Sequence, residues 1–187
     1  RHRGAGRVAC TTLQDYRNPG LQRILYRLLW QLAGRNIEQR ELGVGILGYA
    51  PSVGLVHGLG TQNTTGLRLQ AVCDSNPERL NQARQDFADV KTYDSAAKIV
   101  ADPAVDLVIV ATPPNSHADL SLQMMAGGKH VVCEKPLALN QRETDAMLAM
   151  AANKRLHLSC HQNRRWDPDF LAIRQVLREG LIGDLFY

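Results

Sequence analysis

Six short apolar runs, each separated from the next by a segment of turn or helix length, restrict the possible folds of this chain more than any other feature. Residues 42–47, 67–73, 90–93, 105–111, 129–133 and 156–160 carry the aliphatic and β-branched side chains of buried strands, and 105–111 (Val-Asp-Leu-Val-Ile-Val-Ala) is the most strand-like. The segments between and after them read as helices. Pro51 suits a first helical position ahead of Val53, Leu55 and Val56. Ser75 and Asn76 can cap a helix that starts at Pro77 and spaces Leu80, Ala83 and Phe87 helically. Further helices are expected at 95–101, at 116–126 with a stop at Gly127-Gly128, from Asn140 with Glu143 as a capping-box variant to about 153, and from Asp167-Pro168 to 179. Strands joined through such helices run parallel, and right-handed crossovers wind them into an α/β, doubly wound parallel sheet.

Sheets of this kind bind ligands at the carboxyl ends of their strands. That rule selects five places: 48–54, Asp74, 111–117, 133–136 and 161–165. The first reads Gly48-Tyr-Ala-Pro-Ser-Val-Gly54. A dinucleotide fingerprint uses three glycines, for a tight turn, for close approach of a diphosphate and for helix packing on the strand. Gly48 takes the first role, Ala50 stands at the second, and Gly54 lies one residue past the third. Ser52, Val53 and Gly54 are candidate N–H donors to a diphosphate, and Pro51 has no N–H to give. A plain strand-to-helix turn remains the alternative.

Asp74, ending the second run, can accept the hydroxyl protons of an adenosine ribose while repelling a 2′-phosphate, which favours NAD over NADP. Its alternative role is to cap the next helix. In Ala111-Thr-Pro-Pro-Asn-Ser-His117 the prolines halt the strand, so that Thr112, Pro113 and Asn115 are candidates to line a cofactor. His117, in the first turn of the following helix, is a further candidate beside the cofactor, and as a lone histidine it reads as structural or solvent-facing rather than catalytic. The sharpest element is Cys133-Glu134-Lys135-Pro136. A lysine there can exchange a proton with a substrate hydroxyl or carbonyl, and Glu134 can orient it or bind the nicotinamide ribose. A surface salt bridge between the two is the rival. Arg164, flanked by Asn163 and Arg165, can hold a ligand or pair with Asp167 or Asp169.

The formal charge of +4 is unevenly placed. Residues 1–41 hold eight arginines against Asp15, Glu38 and Glu41, for +5, and the remainder carries −1. The basic excess thus belongs to an extension and is no nucleic-acid footprint. Within it, 21–34 has the spacing of a short basic amphipathic helix, while 1–20 show no periodicity. Four scattered cysteines suggest neither disulfides nor a metal site, and fit a reducing, cytoplasmic setting. No run is long and apolar enough to span a membrane.

Val-Gly-Ile-Leu-Gly48, Ala-Val-Cys-Asp74, Val-Ile-Val-Ala-Thr-Pro-Pro-Asn-Ser-His117 and Gly-Lys-His-Val-Val-Cys-Glu-Lys-Pro136 together resemble the amino-terminal half of the Gfo/Idh/MocA oxidoreductases. The resemblance covers about residues 42–187. It implies a Rossmann domain at 42–163 that binds NAD, with NADP a weaker expectation. After it come a linking helix and the first strand of a largely missing α+β substrate domain at 164–187. It implies hydride transfer to or from a carbinol carbon of a sugar, cyclitol or related polyol, with Lys135 acting at nicotinamide and substrate and Glu134 supporting it. It also implies a homo-oligomer for the full-length protein, and a helix-packing role for His57 in Gly54-Leu-Val-His57. The altered glycine loop keeps a second possibility open, a non-catalytic dinucleotide-binding or regulatory subunit.

Overall fold

The structure is a computed structural model that describes residues 7–8 and 41–184. Its strands are β1 (Arg7–Val8), β2 (Leu42–Leu47), β3 (Leu67–Cys73), β4 (Lys91–Tyr93), β5 (Leu107–Val110), β6 (His130–Cys133) and β7 (His157–Cys160). They form one sheet in the order β1-β7-β6-β5-β2-β3-β4, every pair parallel. From β2 onward this is the doubly wound order in which the chain reverses direction across the sheet between β2 and β5. Among the described residues the helices are α1 (Gly54–Gln62), α2 (Pro77–Asp86), α3 (Ala96–Ala101), α4 (His117–Ala126), α5 (Gln141–Lys154) and α6 (Pro168–Arg178).

Both faces of the sheet are covered. On one, Ile99, Met124, Met125, Met147 and Ala151 of α3, α4 and α5 pack on Val108, Val110, Val131 and Leu158. On the other, Leu80 and Ala83 of α2, with Phe87 and Tyr49, pack on Val44, Ile46, Val72 and Ile109. β2 is buried along its whole length, as an apolar run without polar alternation requires. Burial of each large aliphatic or methionine side chain contributes about 1.5–3 kcal/mol.

Local signals place most helix ends. Asn76 accepts the Glu78 N–H at 2.9 Å ahead of Pro77, and Asn140 accepts the Glu143 N–H at 3.0 Å. Three positions differ from expectation. Pro51 lies in the turn before α1, because the chain does not turn helical until Gly54. Asp167 makes no capping bond to α6; its Oδ2 accepts from Arg164 Nη1 at 2.9 Å instead. Arg7–Val8 pairs with His157 and Leu158 on the outer edge of β7, so the basic extension contributes a strand to the sheet. The amphipathic helix expected at 21–34 lies outside the described residues.

Candidate functional site

The glycine loop is built by close approach. Gly48 has φ +94°, and a Cβ there would sit 2.7 Å from the Ala111 carbonyl oxygen, so this turn needs glycine. A Cβ on Gly54 would meet the Tyr49 Cα at 2.7 Å. Gly54, one position late in sequence, therefore performs the packing task of the third fingerprint glycine. The Val53 and Gly54 N–H groups both bond to the Ala50 carbonyl, at 3.1 and 2.8 Å. The turn has consumed two expected donors, and the first intrahelical bond, from His57 N–H to the Val53 carbonyl at 3.0 Å, leaves Leu55 and Val56 as the start-of-helix donors with no intrahelical acceptor. Ser52, Leu55 and Val56 are thus better candidates than Val53 and Gly54 for the donor role expected of this loop.

Two cavities flank this loop. One, of about 530 Å³, lies over β3 and is lined by Gly48, Ala50, Asp74, Arg79, Thr112 and Pro113, among others. The second, of about 500 Å³, lies over the ends of β5, β6 and β7, where Ser52, Val53, Thr112, Glu134, Lys135 and Arg164 contribute to its walls. Ala111 and Thr112 line both. Asn115 lines neither of the two and is exposed.

Asp74 is used from three sides. Its Oδ2 accepts from the Tyr49 N–H at 2.7 Å and from Arg79 Nη1 at 3.3 Å, and its Oδ1 accepts from the Asn76 N–H at 2.8 Å. The helix cap is Asn76, not Asp74. A carboxylate has about four lone-pair positions, so one is left for a ribose hydroxyl. Arg79, absent from the sequence expectations, brings a half-exposed guanidinium to the same cavity.

Glu134 is the centre of the other cavity. Its Oε1 lies 2.8 Å from His57 Nε2 and 2.8 Å from His161 Nδ1. Burial alone would raise the Glu134 carboxyl, but the hydrogen bonds from His161 and His57 outweigh it and hold the group well below the usual carboxylate range. Burial in turn pushes His57 below the ordinary imidazole value, against the pull of Glu134. The consistent state is an ionised Glu134 receiving an N–H bond from an uncharged His57. Glu134 Oε2 accepts the main-chain N–H of Lys135 at 3.1 Å, and no side-chain ion pair joins the two among the described residues. Glu134 thus fixes the Lys135 backbone and leaves the ammonium exposed at the cavity wall. The peptide bond between Lys135 and Pro136 is cis.

The histidines fall differently from expectation. His57 packs at the base of α1 as expected, and it also bonds Glu134 in the site. His161 sits beside it, ring centroids 4.8 Å apart, in a segment where the strand-end rule pointed but the arginines drew attention. His117 is buried, its ring nitrogens 2.7 and 2.8 Å from the carbonyl oxygens of Pro136 and Thr112, so it braces the β5 and β6 loops. Arg164 pairs with Asp167 and keeps 83% of its side chain exposed, so the surface ion pair weighed against a ligand contact is present. Burial pushes the Cys133 and Cys73 thiols up to about 12, which removes both as nucleophiles.

Residues 42–162 match the family described as "Oxidoreductase family, NAD-binding Rossmann fold", GFO_IDH_MocA. The chain is 35% identical over 142 residues to the scyllo-inositol 2-dehydrogenase (NADP(+)) IolW of Bacillus subtilis, covering 76% of this chain and 39% of that protein. It is 34% identical over 142 residues to the inositol 2-dehydrogenase of Rhizobium meliloti, covering 75% and 42% respectively. The crystal structure of an NAD-binding protein from Listeria innocua superposes with a TM-score of 0.74 at 35% identity, over 79% of this chain and 43% of that one. The chain spans about two fifths of the length of these relatives. By its matched residues, its sheet order and its Glu134-Lys135-Pro136 turn, the chain belongs to the Gfo/Idh/MocA family of oxidoreductases.

Proposed function

We propose that this chain supplies the cofactor-binding part of an NAD(P)-dependent dehydrogenase acting on a cyclitol or sugar-like polyol. The observation that carries the reading is the pair of cavities astride the Gly48–Gly54 loop, with Asp74 in one and Glu134-Lys135 in the other. The residues fit a dinucleotide. The diphosphate would meet the Ser52, Leu55 and Val56 N–H groups, Asp74 would hold the adenosine ribose, and Glu134 and Lys135 would face the nicotinamide half. When bound, the nicotinamide supplies or accepts the hydride.

In oxidation Lys135 would have to stand as the uncharged amine, take the proton of the carbinol hydroxyl and become the ammonium, which gives that proton back in reduction, from a backbone fixed by Glu134. The polyol itself is inferred from the names of the inositol dehydrogenase relatives. Between the two nucleotides, NAD is preferred because a 2′-phosphate beside Asp74 meets a like charge. NADP is tolerated because Arg79 stands against the same carboxylate. The scattered cysteines favour a cytoplasmic setting, and the resemblance implies a homo-oligomer for the complete protein; no helix among the described residues is long and apolar enough to cross a membrane.

Titration of the purified chain with NADH, followed by nicotinamide fluorescence and calorimetry, tests the reading. Saturable binding is expected. Its absence from folded protein, for both NADH and NADPH, overturns it. The polyol assignment is checked separately, by absorbance at the reduced-nicotinamide band with myo-inositol, scyllo-inositol and linear polyols.

A further inference from the structure

We propose that His161, together with His57, is a positioning pair that holds Glu134 as a fixed anion at the nicotinamide end of the cleft, so that the site favours the oxidised, positively charged nucleotide. This rests on the cofactor reading above. His57 comes from the first turn of α1, Glu134 from the loop after β6 and His161 from the residue after β7. Three separate elements therefore converge on one oxygen.

A carboxylate oxygen only accepts, so His57 Nε2 and His161 Nδ1, both 2.8 Å from Oε1, each carry a hydrogen. Both rings are buried, at 3% and 9% exposure, and cannot trade this bond for water without moving the loops. The other ring nitrogen of His161, Nε2, is buried and makes no hydrogen bond among the described residues.

The same groups have the composition of a two-histidine, one-carboxylate metal set. A tetrahedral ion with bonds of about 2.0–2.1 Å would hold its ligand atoms about 3.3 Å apart. Here both nitrogens stand at hydrogen-bond distance from a single oxygen, which is the arrangement of donors around an acceptor.

The nicotinamide ring is positive when oxidised and neutral when reduced, so a nearby fixed anion separates the two affinities. The other charged groups at this cavity are Lys135 and Arg164, both exposed and screened by water, and the remaining titratable neighbour is the buried His117. Glu134 is the one carboxylate in the lining of this cavity. In a partly desolvated cleft its charge is worth about tenfold or more in relative affinity.

Calorimetric titration with NAD+ and with NADH, on the wild-type chain and three variants, tests this. His161→Leu removes the donor, His161→Asn keeps an N–H at the Nδ1 position, and His161→Gln keeps polarity but carries its N–H to the Nε2 position. Circular dichroism melts identify the folded variants, and His161→Gln replaces His161→Leu should the latter fail to fold. The donor-less variant is expected to lose about tenfold in NAD+ affinity relative to NADH, with most of it restored in His161→Asn. Equal losses for both nucleotides, or equal behaviour of the Leu and Asn variants, would overturn the inference. So would tight Zn²⁺ binding to the wild type that the Leu variant loses. Failure of the wild type to bind either nucleotide removes the cofactor reading itself, whereas binding with an unshifted ratio in the variant removes only the role of His161.

Discussion

The Tyr49 main-chain N–H donates to Asp74 Oδ2 at 2.7 Å, and this bond ties the turn after β2 to the end of β3. The glycine loop and Asp74 are therefore one mechanical unit. Asp74→Ala strands the Tyr49 and Asn76 N–H groups and frees Arg79. A cost of about 2 kcal/mol or more is expected, seen as a fall of about 4–8 °C in the thermal midpoint, with nucleotide affinity down at least tenfold. An unchanged melt would show that the loop holds itself.

In the proposed reading Arg79 is the group that would receive a 2′-phosphate. It lies 3.3 Å from Asp74, with 45% of its side chain exposed to the cavity and solvent. In Arg79→Ala, NADP affinity is expected to drop about tenfold more than NAD affinity, because only NADP carries the extra phosphate. Paired dissociation constants for NADH and NADPH check this. Parallel losses would assign Arg79 to the loop rather than to recognition.

Lys135→Met keeps the length and apolar stem of the side chain and removes the proton carrier. In the complete enzyme, nucleotide binding is expected within a few-fold of wild type and turnover lowered about 100-fold or more. Steady-state kinetics alongside a binding titration separate the two. Full turnover in the variant would move the proton to another group.

Acid should weaken the fold in two steps. Burial holds folded His57 below the ordinary 6.5, so below that value the unfolded chain takes up a proton that the folded chain refuses. Hydrogen bonds hold folded Glu134 below the ordinary 4.5, so its contribution is complete above that value and is lost as pH falls through the lower folded one. In both cases the unfolded state binds more protons, and stability rises with pH. Urea midpoints from pH 7.5 to 3.5 measure it, and Glu134→Gln is expected to flatten the decline below 4.5.

Periodicity and caps made the sheet legible because they act within a few residues: Asn76 before Pro77 and Asn140 before Glu143 stop and start helices wherever the chain goes. The positions of Asp74 and Lys135 followed from strand ends alone. Other features needed three dimensions. Arg7–Val8 joins β7 through main-chain pairing, which leaves no side-chain pattern to read. The fate of the Val53 and Gly54 donors depended on the Ala50 carbonyl swinging under the turn. His57 and His161 stand 77 and 27 residues from Glu134, and only the winding of the sheet brings them to one oxygen.

Ala111 and Thr112 form a two-residue sill between chambers of similar size, and each chamber has its own recognition chemistry. In the proposed reading the half-molecules, an adenosine monophosphate on one side and a nicotinamide mononucleotide on the other, would each settle in a chamber of its own. Once joined through the diphosphate, the second half arrives at an effective concentration of about millimolar. The intact nucleotide should accordingly bind far more tightly than either piece, through tethering across the sill.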